Sequence, residues 1–165
     1  MVRWPATLLT ALGVVLTATA SSRADDFLFR INVDLGDRQV RTEETIEAPT
    51  TKQQQRPAAE FNHDQPVSVA WHAENTGKSE MFKDVLVHFF VVQEEKVGQA
   101  EVPKLTEDVT YEGALTMDFK PGQAADWKWT LNIHEPGNYL LRVETIGMAS
   151  GHGHEHFAAM DLVVK

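Results

Sequence analysis

Apolar residues recur at every second position along most of this chain. The first such run extends from Phe27 to Leu35, and the next, "PVSVAWHAEN", covers residues 66–75. A period of two is typical of β-strands with one buried face, because successive side chains of a strand point to opposite sides. Further runs of this kind cover residues 112–119, 125–133, 138–148 and 156–164. The pattern therefore predicts a protein built from strands.

One run, "DVLVHFFVVQEE" at residues 84–95, has apolar residues at odd and even positions (at both parities). This pattern is typical of a central strand covered on both sides. Turn signals separate the runs at Asn75-Thr76-Gly77, Pro121-Gly122 and Pro136-Gly137. Outside the first 24 residues no window has a helical period. Six or seven strands punctuated in this way predict an all-β fold, an antiparallel β-sandwich of the Ig-like or fibronectin-like type.

The segment that precedes this set of strands is polar. Residues 38–66 include "TTKQQQRP" and predict a long connection with one short strand near residues 40–46. We therefore divide the chain into a signal peptide (1–24), an N-terminal strand with a polar connection (25–66) and an Ig-like β-sandwich (67–165). Residues 25–165 are expected to form one folded unit.

The N-terminus has the pattern of a targeting segment. Arg3 supplies a positive start, an apolar run covers residues 6–16, and small residues that suit a peptidase end at Ala20 and Ala24. We expect cleavage after one of these two alanines and export to the periplasm or the extracellular space. The apolar run is too short for a membrane span. The chain has no cysteine, which excludes disulfides and a lipid-modified cysteine anchor.

Charge and motifs narrow the possible functions. The formal net charge is −9, and it becomes −11 without residues 1–24, because Arg3 and Arg23 are lost. An acidic chain argues against nucleic acids and anionic membranes as partners. The sequence contains no G-x-S-x-G element, no glycine-rich phosphate loop and no H-E-x-x-H motif. We therefore predict that the protein is not an enzyme.

Three segments carry a resemblance to a known family. They are "VSVAWHAENTGKSEMFKDVLVHFFVV", "GALTMDFKPGQAADWKWTLNI" and "EPGNYLLRVE". An N-T-G turn after a strand, a P-G-Q turn before a strand and a P-G-x-Y motif that opens another occur in this order. From Pro66 to Glu144 the chain resembles bacterial CARDB-type Ig-like domains. The resemblance implies a non-enzymatic extracellular adhesion or spacer module without an active site.

The C-terminal run "GHGHEH" is a candidate metal site. His152, His154 and His156 stand at alternate positions, and residues two apart in a strand project from one face about 7 Å apart. Met148 precedes the turn, and Met160 shares the parity of the histidines. Imidazole with thioether favours copper over zinc, because soft ligands suit Cu(I). The same composition also suits a polar hairpin tip, so both interpretations stay open.

The alternation of side chains along the last strand indicates which of these histidines face the core. Counting back from Leu162 and Val164, which we assign to the core, His154 and His156 fall on the inward side, whereas Asp161 falls on the outward side. We therefore expect the histidines at an end of the sandwich. The four other histidines, at positions 63, 72, 88 and 134, are expected to be solvated, as are the acidic residues of the strands.

The tryptophans suggest a third kind of site. Trp71, Trp127 and Trp129 share the parity of the aliphatic residues in their strands, which favours the core over a sugar-stacking platform. Trp127 lies nearest a turn and is the one expected to be exposed. The leading hypothesis is an exported, non-enzymatic module that binds a protein or cell-envelope partner. The alternatives are a periplasmic copper- or zinc-binding protein and a carbohydrate-binding module.

Overall fold

A computed structural model describes residues 27–42, 45–48, 55–103, 105, 109–146 and 155–165. These residues form ten strands and no helix. The strands are β1 (Phe27–Asp34), β2 (Gln39–Arg41), β3 (Ile46–Ala48), β4 (Ala58–Phe61), β5 (Val67–Asn75), β6 (Phe82–Glu94), β7 (Tyr111–Phe119), β8 (Ala124–Leu131), β9 (Gly137–Ile146) and β10 (Glu155–Val164). Among the described residues, no helix is long and apolar enough to cross a membrane.

The strands form two sheets. The four-stranded sheet has the order β2-β1-β5-β8, and all its neighbours are antiparallel. The six-stranded sheet has the order β3-β10-β9-β6-β7, and β4 adds to it by pairing with β10 in parallel. The predicted all-β, sandwich-like architecture is confirmed at this level.

The main core lies between the two sheets. In β1 and β5 every second side chain is buried, and Ile31 of β1 lies opposite Trp71 of β5. The same core takes in side chains of the other sheet, including Val87, Leu141 and Met160. The period of two therefore arises because each of these strands buries one face against the opposite sheet.

A smaller core covers part of the outer face of the six-stranded sheet. Its buried members are Phe90, Val92, Leu140, Phe157 and Ala159. Ile46, Val102 and Val109 pack over them from β3 and from the chain after β6. This second core explains why β6 is apolar at both parities, and it confirms that β6 is covered on both sides.

The segment before β5 contains more structure than its composition predicts. The one short strand expected near residues 40–46 is replaced by β2 and β3, which lie in different sheets, and β4 follows. The sequence pattern did not predict β4, because "AAEF" is short and alanine-rich, although Ala59 and Phe61 are buried. Its pairing with β10 is a contact between residues distant in sequence, which local periodicity does not reveal.

Candidate functional site

The most exposed part of the core lies along the side where β7 and β8 end their sheets. Among the described residues, β7 pairs only with β6, and β8 pairs only with β5. The two strands meet through a ring contact, because Tyr111 of β7 stacks on Trp129 of β8 with centroids 5.2 Å apart and planes at 10°. We call the inward side chains of this side, four of them partly buried and one exposed, the aromatic seam: Tyr111, Leu115, Met117, Trp129 and the exposed Trp127.

Phe89 forms the floor of the aromatic seam. Its ring centroid lies 5.5 Å from that of Trp129, 6.0 Å from Tyr111 and 6.3 Å from Trp127. The ring reaches this position because residue 113 of β7 is glycine. A Cβ atom on Gly113 would lie 2.4 Å from Cζ of Phe89, well inside van der Waals contact.

The aromatic seam is partly open to solvent. Trp127 is 47% exposed, whereas its neighbour across the strand pair, Trp71, is buried. Trp129 is partly buried, and its indole N–H has no hydrogen-bond acceptor among the described residues. The exposure expected for Trp127 is confirmed. An open row of aromatic and apolar side chains is the kind of surface that proteins use to bind partners or ligands.

His156 occupies a different part of the molecule from the aromatic seam. It is buried on the inward side of β10, its ring centroid lies 6.2 Å from that of Phe27, and its main-chain N–H donates to Oγ1 of Thr145. Met160 is also buried on this side, but four residues of strand separate the two by about 13 Å. The structure therefore does not bring Met160 next to His156.

The remaining predicted ligands, His152, His154 and Met148, lie outside the described residues. Within the described part of the chain, no three His, Asp or Glu side chains are grouped in a way that could hold a metal ion. The copper or zinc site thus stays a prediction that concerns the hairpin tip predicted between β9 and β10.

His88 does not have the solvated position that its parity predicts. It is buried on the outer face of the six-stranded sheet between two carboxylates, with Nε2 2.8 Å from Oε1 of Glu112 and Nδ1 3.2 Å from Oε1 of Glu144. Arg142 pairs with Glu144 and lies 3.7 Å over the ring of Phe157. The expectation was wrong because the imidazole ring packs beside Phe90, with its centroid 5.1 Å from that of the phenyl ring, and between the two carboxylates. His63 and His134 are exposed, as expected.

Two acidic residues also contradict the expectation of a solvated outer face. Glu94 and Asp161 are buried with Arg56, whose Nη2 lies 2.8 Å from Oε2 of Glu94 and 2.6 Å from Oδ1 of Asp161. Gly98 also donates its main-chain N–H to Asp161. The pKa of Glu94 is raised to about 7, chiefly by burial; the hydrogen bond to Arg56 lowers it and the hydrogen bond to Asp161 raises it.

One feature of the sequence indicates that Asp161 is buried. Asp161 stands in "AAMDLVV", a run that is apolar at both parities, and such a run indicates a strand covered on both faces. An acidic residue in such a strand needs a buried cation or hydrogen-bond donors. The sequence did not identify the cation, because Arg56 lies in the polar connection.

Comparisons with known proteins assign neither a family nor an activity to this chain. No protein-family model, curated protein or solved structure matches it. The CARDB-type resemblance therefore stays an expectation that rests on its three motifs.

Proposed function

We propose that this protein is an exported, non-enzymatic binding module with an Ig-like β-sandwich fold, and that the aromatic seam is its binding surface. The observation that carries the proposal is the exposure of Trp127 within a cluster of aromatic rings. The targeting pattern of residues 1–24 supports export, and the ordered motifs between Pro66 and Glu144 support the Ig-like assignment.

Energetics favour a binding role for this surface. Tryptophan and tyrosine dominate the binding energy of many interfaces, because their rigid rings bury a large area at low entropic cost. Covering the exposed half of one indole contributes on the order of 2 kcal/mol. Phe89 and Gly113 hold the rings of the aromatic seam in place before a partner arrives, which reduces the cost of ordering them.

The test is capture of partners from a cell-envelope extract on immobilised mature protein. The Trp127→Ala variant should lose the captured partners, because it removes the most exposed ring of the aromatic seam. Ile146→Ala is the matched control, since Ile146 is apolar and 37% exposed but lies in β9 of the other sheet. Equal capture by the wild type and Trp127→Ala would contradict the proposal.

A second candidate function is carbohydrate binding. The exposed indole of Trp127 could stack on a sugar ring. A glycan array followed by calorimetric titration distinguishes this candidate from protein binding. Saturable binding of an oligosaccharide, lost in Trp127→Ala and kept in Ile146→Ala, would favour it. A protein partner captured from the extract, with no array signal, would exclude it.

A further inference from the structure

The unpaired edge of β8 carries a self-complementary charge pattern. Its outward side chains include Asp126 and Lys128, which flank Trp127 on either side and are exposed. Asp126 accepts a hydrogen bond from His72 of β5, with Oδ1 2.9 Å from Nδ1, so its carboxylate is held on the outer face. Among the described residues, no strand occupies the other edge of β8.

We infer that this edge pairs with a second copy of the chain, β8 against β8 in antiparallel orientation, about a two-fold axis at Trp127. The inference rests on the proposed function, since it names the partner of the aromatic seam. In this register Asp126 lies opposite the partner's Lys128, and Lys128 lies opposite the partner's Asp126. Oppositely charged residues directly across an antiparallel pair stabilise it. The two four-stranded sheets then form one continuous sheet, and the interface is isologous.

The inward side chains of the two β8 strands are also complementary in this register. Trp127 lies opposite the partner's Trp127, so the exposed ring of each copy covers the other. Ala125 lies opposite the partner's Trp129, which sets a small side chain against a large one. Paired tryptophans across antiparallel strands are among the favourable aromatic contacts, and here they remove the most exposed apolar side chain of the core from water.

The charges of β7, the other strand of the aromatic seam, do not favour self-pairing about its middle residue. Antiparallel pairing of β7 about Leu115 would set Glu112 opposite the partner's Asp118, and both are acidic. Like charges directly opposite each other destabilise a strand pair. A lysine on an edge strand often prevents pairing. In β8, however, the register centred on Trp127 sets Lys128 against an aspartate.

Sedimentation of the mature protein over about 5 to 200 μM at physiological ionic strength tests this inference. We expect the wild type to form dimers in this range. Lys128→Asp sets Asp126 against an aspartate, and Asp126→Lys sets Lys128 against a lysine. Each variant alone should raise the dimer dissociation constant about tenfold or more, because two attractive pairs become repulsive.

A mixture of the two variants provides the decisive measurement. In an equimolar mixture the register restores both Asp–Lys pairs, so the heterodimer should form with an affinity close to that of the wild type. Lys83→Asp is the control, because Lys83 is exposed in β6 of the other sheet and undergoes the same change of charge. Circular dichroism and the melting temperature show whether each variant is folded.

A wild type that stays monomeric up to about 200 μM would overturn the inference, as would single variants that dimerise like the wild type. The capture experiment separates this failure from failure of the proposed function. A monomeric protein with Trp127-dependent capture keeps the aromatic seam as a binding surface and excludes the second copy. Charge-dependent dimers without capture support the inference and exclude a different partner at the aromatic seam.

Discussion

At the residue scale, Arg56 is a buried cation that forms ion pairs with two buried carboxylates. Among the described residues, it is the one cation paired with the buried carboxylates of Glu94 and Asp161. Arg56→Met should lower the free energy of unfolding by about 3–5 kcal/mol, because it leaves two buried carboxylates without their counterion. Arg38→Met is the control, since Arg38 is exposed, and its effect should stay within about 0.5 kcal/mol. Urea unfolding of both variants measures the difference; equal losses would contradict the prediction.

The stability of the folded protein depends on pH through the carboxyl group of Glu94. Its pKa is about 7 in the folded protein, against an ordinary value of 4.5, so the folded state holds a proton between these values that the unfolded state has released. The contribution of Glu94 to stability is therefore fully present below about pH 4.5 and is lost as the pH rises to about 7.

Unfolding experiments across this range test the role of Glu94. Glu94→Gln keeps a neutral side chain of the same shape at every pH, so its unfolding free energy should decline less than that of the wild type between about pH 5 and pH 7.5. Glu60→Gln is a suitable control, because Glu60 is exposed in β4 and forms an ion pair with Lys165. If the Glu94→Gln and wild-type curves are parallel, another group causes the pH dependence.

These residues also show where sequence reasoning succeeds and where it stops. Alternation placed Trp71 in the core and Asp161 on the opposite face correctly. It could not indicate whether that opposite face meets water, because the cover comes from segments distant in sequence. Asp161 and His88 are buried for this reason, while Trp127 is exposed although it shares the inward parity of Leu131.

At the element scale, the contact between β6 and β7 maintains the aromatic seam. Gly113→Ala would set a methyl group 2.4 Å from Cζ of Phe89, so the ring must move. We expect a loss of about 1–3 kcal/mol in stability and a change in tryptophan fluorescence, because Phe89 also contacts Trp127 and Trp129.

A matched substitution and a rescue variant separate this steric effect from a general effect on β7. Ala114→Val also enlarges a side chain of this strand, but residue 114 is exposed on the outer face and should tolerate the change. Adding Phe89→Leu to Gly113→Ala should recover part of the loss, since a smaller side chain leaves room for the methyl group. No recovery in the double variant would argue against the clash.

The long strands were predictable because each has enough alternating residues to reveal its buried face. Those predicted at residues 27–35, 125–133 and 156–164 correspond to β1, β8 and β10 within a few residues. The strands of the N-terminal connection were not, since β2 and β3 have three residues each, and β4 has four. Their formation depends on pairing with β1 and β10, which are already fixed by the core.

At the scale of the whole molecule, the two lateral sides of the sandwich differ. Opposite the aromatic seam, the chain passes from β2 in one sheet to β3 in the other. Oγ1 of Thr42 accepts from the main-chain N–H of Ile31, and Oγ1 of Thr45 accepts from that of Phe29. These bonds satisfy main-chain donors of β1 that β2 does not reach. The segment expected to be a connection thus covers one side, while the side of β7 and β8 stays partly open to solvent.

The metal hypothesis concerns residues that the sequence predicts to lie at an end of the sandwich rather than along a side. His156 lies at the start of β10, and the predicted hairpin tip with His152 and His154 precedes it in the sequence. If the hairpin binds copper or zinc, His152→Ala/His154→Ala should abolish micromolar binding in calorimetric titrations with Cu(II), Zn(II) and, under reducing conditions, Cu(I). Affinity should fall steeply below about pH 6, because ligation requires neutral imidazole.

The structure adds a distinction between the two candidate thioethers. Met160 lies buried in the main core about 13 Å along the strand from His156, so Met160→Leu should leave the affinity for Cu(I) unchanged. Met148→Leu should weaken Cu(I) binding more than Zn(II) binding, because the thioether is a soft ligand.

His63→Ala/His134→Ala is the control for weak surface binding, since both of these histidines are exposed. Metal binding that is unchanged in the His152→Ala/His154→Ala variant but lost in this control would remove the hairpin from the hypothesis.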